Sequence, residues 1–210
     1  MKKVFIVLII AIFAIVIIWY KKTSQYEPLE NTIIVGTSAD FPPFSFRDKN
    51  DEIVGFDIDI IKEVAKRIGM EVDINDRPFY MLLPQIQIGQ IHIIAAGMTP
   101  TEERKKNVNF TKPYLSGNPL LVISLAKNPP ISSLEDLKGK DIIVNTGYTA
   151  DIYMSKLPGI NIIRLAKVAD AFAALEQGKG YAFVTASFTV SPYLKSYEQY
   201  KDKFNIFNNK

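Results

Sequence analysis

From Thr32 onward, short apolar runs alternate with stretches of helical periodicity, and few folds accommodate that alternation. Thr32–Thr37 reads as a strand, and Phe46 to Ile53 carries the Arg-Asp-Lys-Asn-Asp tip of a hairpin. Phe56 to Ile68 is the clearest helix. Phe56, Ile60, Ile61, Val64, Ala65 and Ile68 fall on one stripe, with Asp57 and Asp59 in the first turn. Lys66 and Arg67 occupy the last turn, and Gly69 follows as a stop. Further strands are expected at Glu71–Ile74, Ile91–Ala96, Leu120–Leu125, Asp141–Asn145, Ile162–Leu165 and Tyr181–Thr185. Helices are expected at Met81–Ile88 (weakened by Pro84), Ser133–Leu137 and Val168–Gln177. The pattern predicts an α/β fold with largely parallel sheets. The break from Pro113 to Pro119, with Gly117 inside it, is where the chain is expected to pass from one lobe to another.

Ahead of this region lies an unbroken apolar run of 17 residues, Val4 to Tyr20, between Lys2-Lys3 and Lys21-Lys22. At 1.5 Å per residue a helix of that length reaches roughly 25 Å, enough for a thin bilayer. No small-x-small cleavage site ends it, so an uncleaved anchor is favoured over a cleaved signal. Residues 1–22 are thus read as a signal anchor or signal peptide and 23–31 as a polar linker.

Charge follows the same division. The formal net charge is +3, but residues 1–22 hold four lysines and no acid, leaving 21 basic and 22 acidic residues elsewhere. Nothing in that balance suggests a nucleic-acid platform. The absence of Cys excludes disulfides, a catalytic thiol and thiolate metal sites. No His/Cys/Asp metal spacing and no Gly-x-Ser-x-Gly elbow is present, so no cofactor, metal or catalytic residue is assigned. The single histidine, His92, reads as a structural residue.

Three loops have the character of ligand sites beyond strand ends, where helix N-termini present free N–H groups. The first is Gly36 to Phe44, with two prolines and the aromatic pair Phe41 and Phe44. The second is Ala96 to Arg104. Thr99 as N-cap, Pro100 at the first helical position and Glu102 suit a capping box, and Thr101 as the cap is the other register. Arg104 then emerges in the first turns, where a cation is unfavourable for the helix but suited to gripping a carboxylate. The third is Asn145 to Asp151, where Gly147 allows close approach and Thr149 offers a hydroxyl. Taken singly, each could be an ordinary packed loop, a solvated Arg paired with Glu102 or Glu103, or a capped turn.

In this order and spacing the segments resemble the periplasmic substrate-binding proteins of polar amino-acid ABC importers (bacterial extracellular solute-binding proteins, family 3), from about residue 32 to the end. The residues that carry the likeness are Gly36-Thr37 to Pro43-Phe44, Val54 to Asp59, Gly97-Met98-Thr99 to Arg104, Phe110 to Tyr114, Leu134 to Lys140, and Thr146-Gly147. The resemblance implies a two-lobed α/β fold, type II, joined by a hinge, with lobe 1 at 32–118 and lobe 2 with the start of a return crossover at 119–210. It implies that Arg104 holds a ligand carboxylate, helped by Gly97 and Thr99, with Thr149 adding donors from the second lobe. Phe41, and with it Phe79, would line the pocket. An ABC permease in the inner membrane would be the partner, and the protein would be periplasmic and tethered.

Two departures from the family pattern stand out. The acid that normally follows the strand Tyr181–Thr185 and pairs with the ligand's ammonium reads Ala186 here, with Ser187 next. The ligand is therefore expected to be an amino acid whose ammonium is met from elsewhere, such as by Asp40 or Asp151, or a carboxylate without one. The family's return segment is also expected to be missing after Phe204 to Lys210, leaving part of lobe 1's apolar surface bare. The expected function is solute capture for import. The alternatives are a membrane-held sensing or vestigial domain and, less favoured, a dehydratase on the same fold.

Overall fold

The computed structural model describes residues 31–190 and 203–208. The apolar leader, the linker up to residue 30 and the stretch 191–202 lie outside the described residues. Strand β1 (Thr32–Thr37) is central in a three-stranded sheet, flanked by β5 (Glu71–Asp76) and by β6 (Ile93–Ile94), to which it runs parallel. Its alternating residues Ile33 and Val35 are buried against Ile61 and Ala65 of helix α1 (Phe56–Arg67). A small antiparallel sheet of β2 (Asp40–Phe41), β3 (Ser45–Arg47) and β4 (Ile53–Val54) leads into α1, the β3–β4 hairpin falling where the Arg47–Asp51 tip predicts.

The buried stripe of α1 differs from the one expected. Ile58, Ile61 and Ala65 face the core together with Asp57, whereas Phe56, Val64 (43% exposed) and Ile68 (58% exposed) face outward. Helix α2 (Phe79–Gln87) begins two residues earlier than its periodicity suggests, and Pro84 lies inside it. The carbonyl that Pro84 leaves without its usual donor would belong to Tyr80, at the first turn, which limits the disruption. His92 is exposed, and its Nδ1 accepts the Ile34 N–H at 3.2 Å, a structural role.

The second sheet has five strands in the order β11-β7-β10-β8-β9: β7 (Leu120–Leu125), β8 (Asp141–Asn145), β9 (Asn161–Leu165), β10 (Ala182–Ala186) and β11 (Phe204–Asn208). β8 runs parallel to both β9 and β10, but β7 is antiparallel to β10 and β11, so the sheet is mixed rather than largely parallel. Helices α4 (Thr149–Met154) and α5 (Val168–Glu176) cover it, after the short α3 (Glu102–Lys105) of the first lobe. Ala186 is the last residue of β10, not the one beyond it. The Pro119 carbonyl accepts the Ser187 N–H at 2.8 Å, so the segment leading into β7 lies beside the end of β10.

The described residues from Ile33 onward belong to one compact unit. One apolar cluster includes Phe79, Leu82, Ile91 and Ala96 of the first lobe and Ile143, Tyr148, Val168, Phe172 and Phe183 of the second. Among the described residues no helix is long and apolar enough to cross a membrane.

Candidate functional site

The loop after β6 carries the first group of site residues. Gly97 sits at φ +58°, in the left-handed region that glycine enters freely. A Cβ there would fall 2.5 Å from Phe41 Cε1, so a larger residue at this position would have to displace the Phe41 ring. Phe41 in turn lies 5.0 Å from Phe44, centroid to centroid. These residues, with Met98, Thr99 and the connector from Phe110 to Asn118, line a cleft of about 260 Å³.

Helix α3 positions the guanidinium. Its N-cap is Thr101, whose Oγ1 accepts the Arg104 N–H at 3.3 Å, so the Thr99 register and its capping box with Glu102 do not form. The Thr99 carbonyl accepts the Thr101 N–H at 2.9 Å and also the Arg104 side chain, whose Nη1 donates to it at 2.9 Å. Nη2 reaches across to the second lobe and donates to the Gly147 carbonyl at 2.7 Å. The cation lies 5.4 Å from the centroid of the Phe79 ring, which packs on Tyr148 at 4.5 Å. Arg104 is only 3% exposed. Its burial pulls the pKa below the ordinary arginine value, with the nearby Glu103 charge acting the other way.

Arg104, Phe79 and Thr99 thus come together with Gly147, two residues before Thr149, which opens α4 and is half-buried. Phe41 and Gly97 form a neighbouring group, and Thr99 touches both: its carbonyl meets Arg104 while its residue lines the cleft. Phe79 and Arg104 do not line that cleft.

Asp57 was legible only as a first-turn acid and as part of the Val54–Asp59 motif. In the structure it is 2% exposed and ties the loop to the connector: Gly97 N–H donates to Oδ2 at 2.6 Å and the Tyr114 hydroxyl to Oδ1 at 2.7 Å. Burial raises its pKa, and the Tyr114 and Gly97 hydrogen bonds oppose that rise. Burial and the Asp57 carboxylate together push the Tyr114 hydroxyl up as well. Asp40 and Asp151 are also engaged. Asp40 accepts from Ser38 Oγ at 2.7 Å and, across the lobes, from Val168 N–H at 3.3 Å. Asp151 accepts Gly147 N–H at 2.9 Å and pairs with Arg164 Nε at 3.0 Å.

The model of bacterial extracellular solute-binding proteins, family 3, matches residues 33–206. The chain belongs to that family. Among its family 3 relatives, the arginine-binding extracellular protein ArtP of Bacillus subtilis (strain 168) is 40% identical over 124 residues. That match takes in 59% of this chain and 48% of ArtP, so the chain spans about half the length of that relative. The truncated, arginine-bound form of ArgBP from T. maritima superposes with a TM-score of 0.76 at 38% identity, covering 85% of this chain and 81% of that one. The ancestral amino-acid-binding protein AncCDT-1, a precursor of cyclohexadienyl dehydratase, matches with a TM-score of 0.73 at 36% identity, over 79% of this chain and 74% of its own. The family 3 fold, α/β and two-lobed, is therefore established for this chain.

Proposed function

We propose that this chain captures a small polar ligand bearing a carboxylate, an amino acid or another acid, between its lobes and delivers it to an ABC permease. On this reading lobe 1 is residues 32–118 and lobe 2 is 119–210, the protein is periplasmic, and the N-terminal apolar segment holds it at the inner membrane. The observation that carries the proposal is Arg104: a buried guanidinium between the lobes, held by two neutral carbonyls. Carbonyls accept its hydrogen bonds but carry no formal charge, whereas a carboxylate meets both fork and charge. A ligand touching both lobes binds the shut state better and shifts the population toward it. Phe41, Gly97 and Thr99 would line the ligand's path, and Phe79 would hold the guanidinium plane. Thr149 would add a donor from the second lobe.

The relationship to a dehydratase precursor raises an enzymatic reading. It requires a general acid facing the ligand. Asp57 is turned to Gly97 and Tyr114, and β10 ends in Ala186, so the binding reading is preferred. The test is a set of circular-dichroism melts of the full chain in mild detergent with amino acids and simple carboxylates. A ligand at a hundred times its Kd stabilises by about 2.7 kcal/mol. Stabilisation by a carboxylate that disappears in Arg104→Ala supports the proposal; stabilisation that survives the substitution contradicts it.

A further inference from the structure

An α-amino acid carries a carboxylate and an ammonium into a closing cleft, and each charge needs a partner once water is excluded. Arg104 meets the first. For the second, the buried and half-buried acids around the interlobe contact already accept hydrogen bonds within the chain. Asp57 is spent on Gly97 N–H and the Tyr114 hydroxyl. Asp40 is spent on Ser38 and on the Val168 N–H of the opposite lobe. Asp151 is spent on Arg164, Ser155 and the Gly147 N–H. Glu102 pairs with Lys105, and Glu103 is solvent-exposed.

Freeing Asp57 or Asp151, both buried, has its own cost. Turning Asp57 toward a ligand leaves Gly97 N–H without its acceptor, and turning Asp151 leaves Arg164 without its carboxylate. Ala186 and Ser187, where β10 ends beside the connector, bring no charge. The Thr99 and Gly147 carbonyls could accept from an ammonium if Arg104 turned to the ligand, but they supply no negative charge. Lys112 lines the adjoining cleft and adds a second cation.

Resting on the carboxylate-binding reading above, we propose that the ligand is a carboxylate without an α-ammonium group. Arg104 is the buried cation between the lobes, and the buried and half-buried carboxylates near it already accept hydrogen bonds from the chain, an arrangement that suits an anion better than a zwitterion.

Matched pairs test this directly. The full chain in mild detergent is titrated by calorimetry with L-leucine against 4-methylpentanoate, L-glutamine against 4-carbamoylbutanoate, and L-arginine against 5-guanidinopentanoate. The 2-oxo acid of each amino acid completes the series. The expected result is that a compound lacking the ammonium binds at least tenfold more tightly than its amino-acid partner, with binding lost in Arg104→Ala. In Ala186→Asp the preference should swing toward the amino acid by tenfold or more. An amino acid that binds wild type more tightly than its partner, through Arg104, overturns this inference and leaves the carboxylate-binding reading standing. No binding by either class to a chain with an intact cooperative melt overturns both. The wild-type pairs decide the matter even if Ala186→Asp does not fold.

Discussion

Asp57 does two jobs with one carboxylate, and its titration reports on them. Its folded pKa lies above the unfolded value near 4, with burial the leading cause. A carboxyl raised in this way binds more protons folded than unfolded. Its contribution is therefore fully present below the unfolded value and is lost as pH rises through the folded one. Urea unfolding across this range should show wild type losing stability relative to Asp57→Asn as pH increases from about 4. A gap between the two that stays constant or widens in wild type's favour would refute the assignment. Asp57→Ala should cost about 1–3 kcal/mol, because it leaves the Gly97 N–H and the Tyr114 hydroxyl without their part-buried acceptor. Gly97→Ala meets both a positive φ and the Phe41 ring, so a lowered melting temperature and loss of ligand response are expected together.

Helix α1 sets the comparison at the scale of elements. Ile58 and Ile61 are buried, whereas Val64 and the C-cap residue Ile68 face outward, though all four are apolar. Ile58→Ala should cost about 2–5 kcal/mol, and Ile68→Ala no more than about 0.5 kcal/mol, in denaturant titrations. Equal costs would mean that the outward face is covered. The contrast also marks what local pattern can convey. β1, β7 and β8 begin and end where their apolar runs do, since each is bounded by polar or turn residues. The α1 stripe was misplaced because a 3.6-residue period tolerates two adjacent faces when apolar residues are plentiful. The direction of β7 and β11 was illegible because pairing depends on partners about 60 to 85 residues apart, such as Ala182 with Ser124 or Phe204 with Leu125. For the site, motif order singled out Arg104, Phe41 and Gly97, and the family resemblance added Phe79. Tyr114, Tyr148 and the Asp57 tie become visible only through contacts that local spacing does not encode.

For the molecule as a whole, the loops of the two lobes meet through this chain's own atoms. Arg104 donates to Gly147, Val168 donates to Asp40, and Phe79 packs on Tyr148 within one apolar cluster. Phe79→Ala should therefore remove about 3–5 kcal/mol by opening a void between lobes, read from the midpoint and slope of denaturant unfolding. Where a ligand carboxylate takes the place of a carbonyl on Arg104, affinity reflects the difference between two sets of partners rather than the sum of new contacts. The most direct test of that exchange is a calorimetric titration of wild type, Arg104→Lys and Arg104→Ala with the best carboxylate of the series. The account predicts saturable binding in wild type, at least tenfold weaker binding in Arg104→Lys, which lacks the two-pronged fork, and none in Arg104→Ala. Equal affinity in all three would contradict it.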